Sequence, residues 1–237
     1  MRTRFQQGLD DLRQRLLRMG GLAEQAVDRA RQAYVERDLT RCQMVLESEG
    51  MINTAEREID EAAFDLLAMQ QPMAVDLRFI LAVTKINSDL ERVGDQAVNI
   101  AELVMHKVEL HANDQPVDIA RMGAAVSAMV RRALESFIEG KVELAQAVLE
   151  MDSVIDRMRD DAFIQLVKAM NERPEVVRQA LDALLVARNL ERVADHATNI
   201  AEDVIFWVQG ADVRHNVHPE EPEAAQAERL PTRASGL

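Results

Sequence analysis

Aromatic side chains are scarce in this sequence: one Trp, one Tyr and six Phe, or 3% of 237 residues. Sheets use aromatic and β-branched residues to cover their pleated faces, so a β-rich core is disfavoured. Gly and Pro are also few, nine and six, which leaves little material for the many turns of a stranded fold. The single cysteine, Cys42, excludes an internal disulfide and a thiolate-built metal site, and agrees with a reducing compartment. Cationic residues are outnumbered 28 to 41 by anionic ones, for a formal net charge of −13. With no basic cluster the chain has nothing to grip a phosphate backbone or an anionic lipid surface, which argues against nucleic acid and membrane-surface partners. No run approaches the ~20 apolar residues that span a bilayer, and no apolar signal segment follows Met1. A cytoplasmic location without direct membrane insertion is the expectation.

What the chain does have is Ala, Leu, Val and Met, within an apolar fraction of 48%. From Phe5 to about Gly210 these residues recur every three or four positions, beginning with Leu9, Leu12, Leu16 and Met19. The pattern breaks at Glu36-Arg-Asp-Leu, Gln70-Gln-Pro, His111 to Pro116, Glu139-Gly-Lys and Asn171-Glu-Arg-Pro. Pro72, Pro116 and Pro174 suit the first turn of a helix, where a missing N–H costs nothing. Five breaks predict six helices of roughly 23 to 37 residues, about 35 to 55 Å long at the α-helical rise. Long helices joined by short turns lie antiparallel, so the fold class is an all-α bundle.

The sequence also repeats itself. At an offset of 103, Met19-Gly20 recurs as Met122-Gly123, Arg29-Ala30 as Arg132-Ala133, and Val45-Leu-Glu47 as Val148-Leu-Glu150. At an offset of 100, Leu90 to Glu102 recurs as Leu190 to Glu202, with ten of the thirteen positions identical. The two offsets differ by three residues, a shorter turn in the second half. Two tandem three-helix bundles related by a pseudo-two-fold follow, residues 1–112 and 113–212, with the joint near His111 to Pro116. Residues 213–237 lose the periodicity and read as a disordered tail.

Acidic residues fall in rows. On a helix, Glu91, Asp95, Asn99 and Glu102 lie at about 0°, 40°, 80° and 20°, apart from the apolar arc of Leu90, Val93, Ala97 and Ile100. Glu191, Asp195, Asn199 and Glu202 repeat that geometry. The preceding helix carries Glu49, Asn53, Glu56 and Asp60 in the first unit, and Asp152, Asp156 and Asp160 in the second. One reading is a set of solvated helix faces. The other is cation binding: like charges one turn apart cost a few tenths of a kcal/mol per pair, and a bound cation turns that repulsion into a ligand set. Carboxylate and amide oxygens suit Mg²⁺, Ca²⁺, Mn²⁺ or iron.

Other chemistries find less support. A ferritin-like di-iron site needs Glu-x-x-His pairs on two helices, whereas Glu102 and His106 are four apart and Phe206 stands at the repeated position. His196 is replaced by Gln96 in the other repeat and reads as a surface or rim residue. Met19-Gly20-Gly21 and Met122-Gly123 read as points of close helix contact, and Cys42 as structural. There is no Gly-rich phosphate loop and no nucleophile elbow.

Met19-Gly20-Gly21, Gln71-Pro72 followed by Asp76-Leu77-Arg78, Leu90-Glu-Arg-Val-Gly-Asp95 and Ala187 to Asp195 together resemble the PhoU family, through residues 5 to 215. The resemblance implies Glu/Asp-x-x-x-Asp motifs that hold multinuclear metal clusters (iron, or Mg, Mn or Zn) on the bundle surface. These map onto Glu91/Asp95, Glu191/Asp195 and Asp152/Asp156. Glu49/Asn53 departs from the motif, so the first unit's site is expected to lean on Glu56 and Asp60. The resemblance further implies a non-catalytic negative regulator of the phosphate-starvation response. Its expected partners are the ATPase subunit of the phosphate ABC transporter, a membrane sensor histidine kinase and a second copy of itself. The alternative reading is a metal-dependent hydrolase or oxidase that uses the carboxylate clusters.

Overall fold

The computed structural model describes residues 2–69, 72–106, 117–211 and 213. Six α-helices and one short 3₁₀ turn make up the described chain: α1 (Arg2–Glu36), α2 (Leu39–Met69), α3 (Val75–Met105), α4 (Ile119–Glu139), α5 (Val142–Glu172) and α6 (Val177–Gln209). The expected joint at His111 to Pro116 and the expected tail lie outside the described residues, apart from Val213, which packs against the core.

Local chemistry accounts for the helix ends among the described residues. Arg37 turns the chain out of α1 with a φ of 58°. The Asp38 carboxylate then accepts from the backbone N–H groups of Thr40 (2.9 Å) and Arg41 (3.2 Å), satisfying two of the orphan donors at the start of α2. Asp118 caps α4 by accepting from the Arg121 N–H at 2.9 Å. Gly140 and Gly210 end α4 and α6 in the left-handed region, at φ 60° and 75°. Pro174 opens the 3₁₀ turn that leads into α6. Pro72 departs from expectation: it lies three residues before α3. The chain turns at Met73–Ala74, where Ala74 has a φ of 47° and the Asp76 N–H donates to the Met73 carbonyl.

Within each unit the three helices pack on one another, and the units join chiefly along two helix pairs, α3 on α6 and α1 on α4. The apolar arcs turn inward: Leu12, Leu16, Ile80, Val83, Ile86, Val93 and Ile100 are fully buried. Each such aliphatic side chain contributes about 1.5–3 kcal/mol. The buried residues of both units form one continuous cluster rather than two separate cores.

The α1–α4 contact obeys the repeat. A Cβ on Gly20 of α1 would stand 2.6 Å from Leu134 Cδ2 of α4, and one on Gly123 of α4 would stand 2.6 Å from Arg31 Cγ of α1. These pairs exchange under the offset of 103, so the glycines are close-contact points and the units face each other about a pseudo-two-fold. Three of the few aromatics gather where the units meet. Phe79, Phe137 and Trp207 stand 5.2 to 5.9 Å apart between ring centroids. The Arg13 guanidinium from α1 covers Phe79 and Trp207 at 5.1 and 5.3 Å.

Candidate cation sites along the acidic rows

In the first unit, α2 and α3 bring their rows face to face. Glu56 lies within the field of Asp60 and Asp95, and Glu91 within that of Asp95 and Glu56. Burial first, then those neighbouring charges, raise both glutamate carboxyls above the usual carboxylate range. Glu49 and Asn53 are half-buried on the same helix. Asn87, almost wholly buried at 1% exposure, clamps the arrangement. Its amide donates to Asp60 Oδ1 at 2.9 Å and to the Glu56 carbonyl at 3.0 Å. The Oδ1 atoms of Asn87 and Asn53 are both buried with no hydrogen-bond partner. An orphaned buried acceptor is costly unless something donates to it or coordinates it.

The second unit looks similar in sequence and differs in space. Asp152 accepts from the Thr198 hydroxyl at 3.4 Å, and burial followed by Asp156 raises its carboxyl. Asp195 has much of its surface in solvent, but its carboxyl sits among Glu191, Asp152 and Asp156. Burial, then Glu191 and Asp152, push it up to about 6. Between these groups lies Arg159. Its guanidinium donates to Glu191 Oε1 (2.8 Å) and Asp160 Oδ1 (3.1 Å), and reaches Asp156 at 3.6 Å. Asp160 is therefore an ion-pair partner rather than a member of an unbroken acidic row. The expected like-charge repulsion does not run uninterrupted along α5, because an arginine is interleaved there. Arg159, Glu191 and Asp195 also stand at the head of a surface groove of about 740 Å³, walled by Phe163, Leu181 and Leu185.

The acidic rows thus converge in pairs: Glu56, Asp60, Glu91 and Asp95 in one unit, and Asp152, Asp156, Glu191 and Asp195 in the other. As arranged, no three carboxylate, imidazole or thiolate groups among the described residues stand close enough to share one cation. Oxygen donors alone fit hard or borderline cations, and the two orphaned amide oxygens show that the first unit has acceptor capacity to spare.

Three residues here escaped the sequence reading. Arg159 lies at about 340° when Asp152 is set to 0°, inside the very row that was read as acidic. Asn87 sits one turn before Glu91, on the edge of its stripe. His196 is no rim residue: its side chain is 15% exposed, and its Nδ1 donates to Asp89 Oδ1 at 2.9 Å across the α3–α6 seam. Cys42 behaves as expected, buried in the core with its thiol pushed up by burial.

Comparison with known proteins agrees with this architecture. A family model described as the PhoU domain matches residues 16–104 and again 119–204. The phosphate-specific transport system accessory protein PhoU homolog of Pseudomonas aeruginosa is 40% identical over 212 residues, covering 89% of this chain and 88% of the relative. The corresponding accessory protein of Serratia marcescens is 32% identical, covering 89% and 87%. Among solved structures, PhoU from Pseudomonas aeruginosa superposes with a TM-score of 0.84 at 38% identity, over 87% of this chain and 100% of that one. The phosphate transport system regulatory protein PhoU from Streptococcus pneumoniae gives 0.81 at 26% identity, over 88% and 99%. With both three-helix units matched in order and nearly end to end, this chain belongs to the PhoU family.

Proposed function

We propose that this chain is a non-catalytic regulator of phosphate homeostasis that restrains phosphate uptake and the phosphate-starvation response. The observation that carries the reading is the extent of the match. Relatives named as accessory proteins of phosphate-specific transport align over about nine-tenths of this chain and of themselves, so the likeness covers a whole two-unit protein and not a shared module. The physical chemistry supports the same reading. No described helix is long and apolar enough to cross a membrane, and the net charge of −13 favours protein partners over nucleic acid. In this reading the protein works in the cytoplasm, as a homodimer. It couples the ATPase subunit of the phosphate ABC transporter to a sensor histidine kinase, and the acidic rows bind metal cations that stabilise the bundle.

Deleting the gene tests the reading directly. A reporter for phosphate-scavenging genes should switch on in phosphate-replete medium when the chain is absent and fall again when it is restored. Unchanged reporter activity in the deletion strain would overturn the regulatory assignment.

A further inference from the structure

The outer faces of α5 and α6 form the groove of about 740 Å³ that opens beside Arg159 and Glu191. Away from those charges its walls are apolar and face solvent: Phe163 of α5 is 55% exposed, and Leu181 and Leu185 of α6 are 49% and 44% exposed. The repeat supplies an internal control on whether the fold needs them there. By the offset of 103 Phe163 corresponds to Asp60, and by the offset of 100 Leu184 corresponds to Thr84 and Leu185 to Lys85. The first unit builds the same helix pair with a carboxylate, a hydroxyl and an ammonium at these places, and its Lys85 reaches Asp203 at 3.4 Å. Packing of a three-helix unit therefore does not require a phenyl ring and two leucines here. A run of exposed apolar side chains marks a surface that something else covers. The charges beside it say what. On α6, Leu181, Leu185, Arg188 and Arg192 fall at about 0°, 40°, 340° and 20° around the axis, one stripe about 17 Å long. It is apolar at one end and cationic at the other. Arg159 is already bonded to Glu191 and Asp160, whereas no ion pair among the described residues reaches Arg188 or Arg192. Both are exposed, and the first unit has Ser88 in place of Arg188. Two unpaired guanidinium groups one turn apart, in a chain of net charge −13, are matched by carboxylates at the same spacing. Asp195 closes the stripe, because it repels a further acidic turn.

We infer that this groove docks an amphipathic helix of another protein, about three turns long. Its apolar stripe lies on Phe163, Leu181 and Leu185, and its carboxylates, one turn apart, lie over Arg188 and Arg192. A helix laid along α6 matches the period of these side chains turn for turn, as an extended segment does not. The first unit, with Asp60, Thr84, Lys85 and Ser88 at the matching places, lacks the surface, so one such helix binds per chain. The inference deepens the regulatory reading by giving partner contact a place on α5 and α6, and it rests on that reading for what the contact does.

The probe is a synthetic amphipathic helical peptide with leucines on one face and two glutamates one turn apart at one end. Its control carries lysines in place of the glutamates. Titrated on the full-length chain and read by fluorescence anisotropy, the glutamate peptide should bind about tenfold or more tighter than the control. Phe163→Asp and Arg188→Ser install the residues that the first unit carries at those places, so the fold already accommodates them. Each should weaken the glutamate peptide about tenfold or more, and Arg188→Ser should also make binding less sensitive to KCl. Equal binding of the two peptides, or variants that bind as wild type does, would overturn the inference. So would either of two other occupants. If Phe163→Asp turns a wild-type dimer into monomers in sedimentation, a second copy fills the groove. If a chain ending at Val213 binds the peptide about tenfold tighter than the full chain, its own tail fills it. The deletion strain separates this inference from the regulatory reading. Wild type should restore repression of the reporter, and Phe163→Asp with Arg188→Ser, melting as wild type does, should not. A double variant that represses fully sinks the groove and leaves the regulatory reading standing. If wild type itself fails to repress, the regulatory reading falls and the peptide titration alone decides the groove.

Discussion

Asp89 of α3 and His196 of α6 meet at 2.9 Å across the seam between the two units, and Asn199 donates to the same carboxylate oxygen at 3.1 Å. The repeat places Asn189 and Gln96 at the symmetry-related end. There the helices leave an open groove of about 390 Å³ lined by Asn99, Leu103, Leu185 and Asn189. One end of the seam is closed by the Asp89–His196 pair, whereas the other is an open groove that Glu102 and His106 also line. Asp89 is 7% exposed, so removing its partner leaves a buried carboxylate short of a donor. His196→Ala should therefore cost about 1–3 kcal/mol, read as a lower urea midpoint at constant slope. His196→Gln keeps a donor and should lose less. Equal losses for the two variants would mean that imidazole packing, not the hydrogen bond, holds the seam.

The adjacent glycines Gly20 and Gly21 make opposite predictions from one motif. Nothing lies within 4 Å of a Cβ built on Gly21. Gly21→Ala should thus gain the helix-propensity difference, about 0.8–1 kcal/mol. On Gly20 the same methyl meets Leu134 Cδ2 at 2.6 Å and Cδ1 at 3.1 Å. Overpacking of about 1–3 kcal/mol then outweighs the propensity gain, and Gly20→Ala should destabilise. In a Leu134→Ala background the Gly20→Ala change should cost less than in wild type, since the methyl enters the space that Leu134 vacates, a coupling read from the cycle of wild type, the two single variants and the double. Thermal denaturation of the four proteins settles the point.

These glycines also show why so much of the fold was legible. Helix periodicity, few breakers and a direct repeat are local signals, and they located the breaks that fall among the described residues and marked Gly20 and Gly123 as points of close helix contact. Pro72 misled because the position of a helix start depends on the turn at Ala74, which a proline rule does not see. The acidic rows were legible as geometry on single helices, and in space Glu91 and Asp95 lie near Glu56 while Asp152 and Asp156 lie near Glu191 and Asp195. What could not be read was the company they keep. His196 and Asp89 are 107 residues apart, and no single-helix pattern pairs them. Arg159 was readable, since it shares the stripe, but counting carboxylates passed over it. Asn87 earns its place only through a neighbouring helix.

The raised carboxyls give a pH prediction whose sign is the reverse of ordinary acid denaturation. Asp195 titrates at about 6 in the fold against an ordinary value of 3.8, and Glu56, Glu91 and Asp152 are shifted in the same direction. Between those pH values the unfolded chain has already released a proton that the folded chain still holds, so raising the pH favours unfolding. In chelator, the melting temperature should fall as pH rises from about 4 through about 6 and level off above it. Asp195 is solvent-accessible, so after screening its share is on the order of 1 kcal/mol or less. The charges facing it are Glu191 on its own helix, Asp152 and Asp156 on α5, and the opposing His196. Asp195→Asn removes the titration and keeps the shape. It should flatten the profile relative to wild type and melt higher at pH 7.5, with little difference at pH 4. The expectation fails if the two profiles run parallel. Adding Mn²⁺ gives the complementary half of the test: protons compete with metal for carboxylates, so any stabilisation by Mn²⁺ should be large at pH 7.5 and shrink toward pH 5.5.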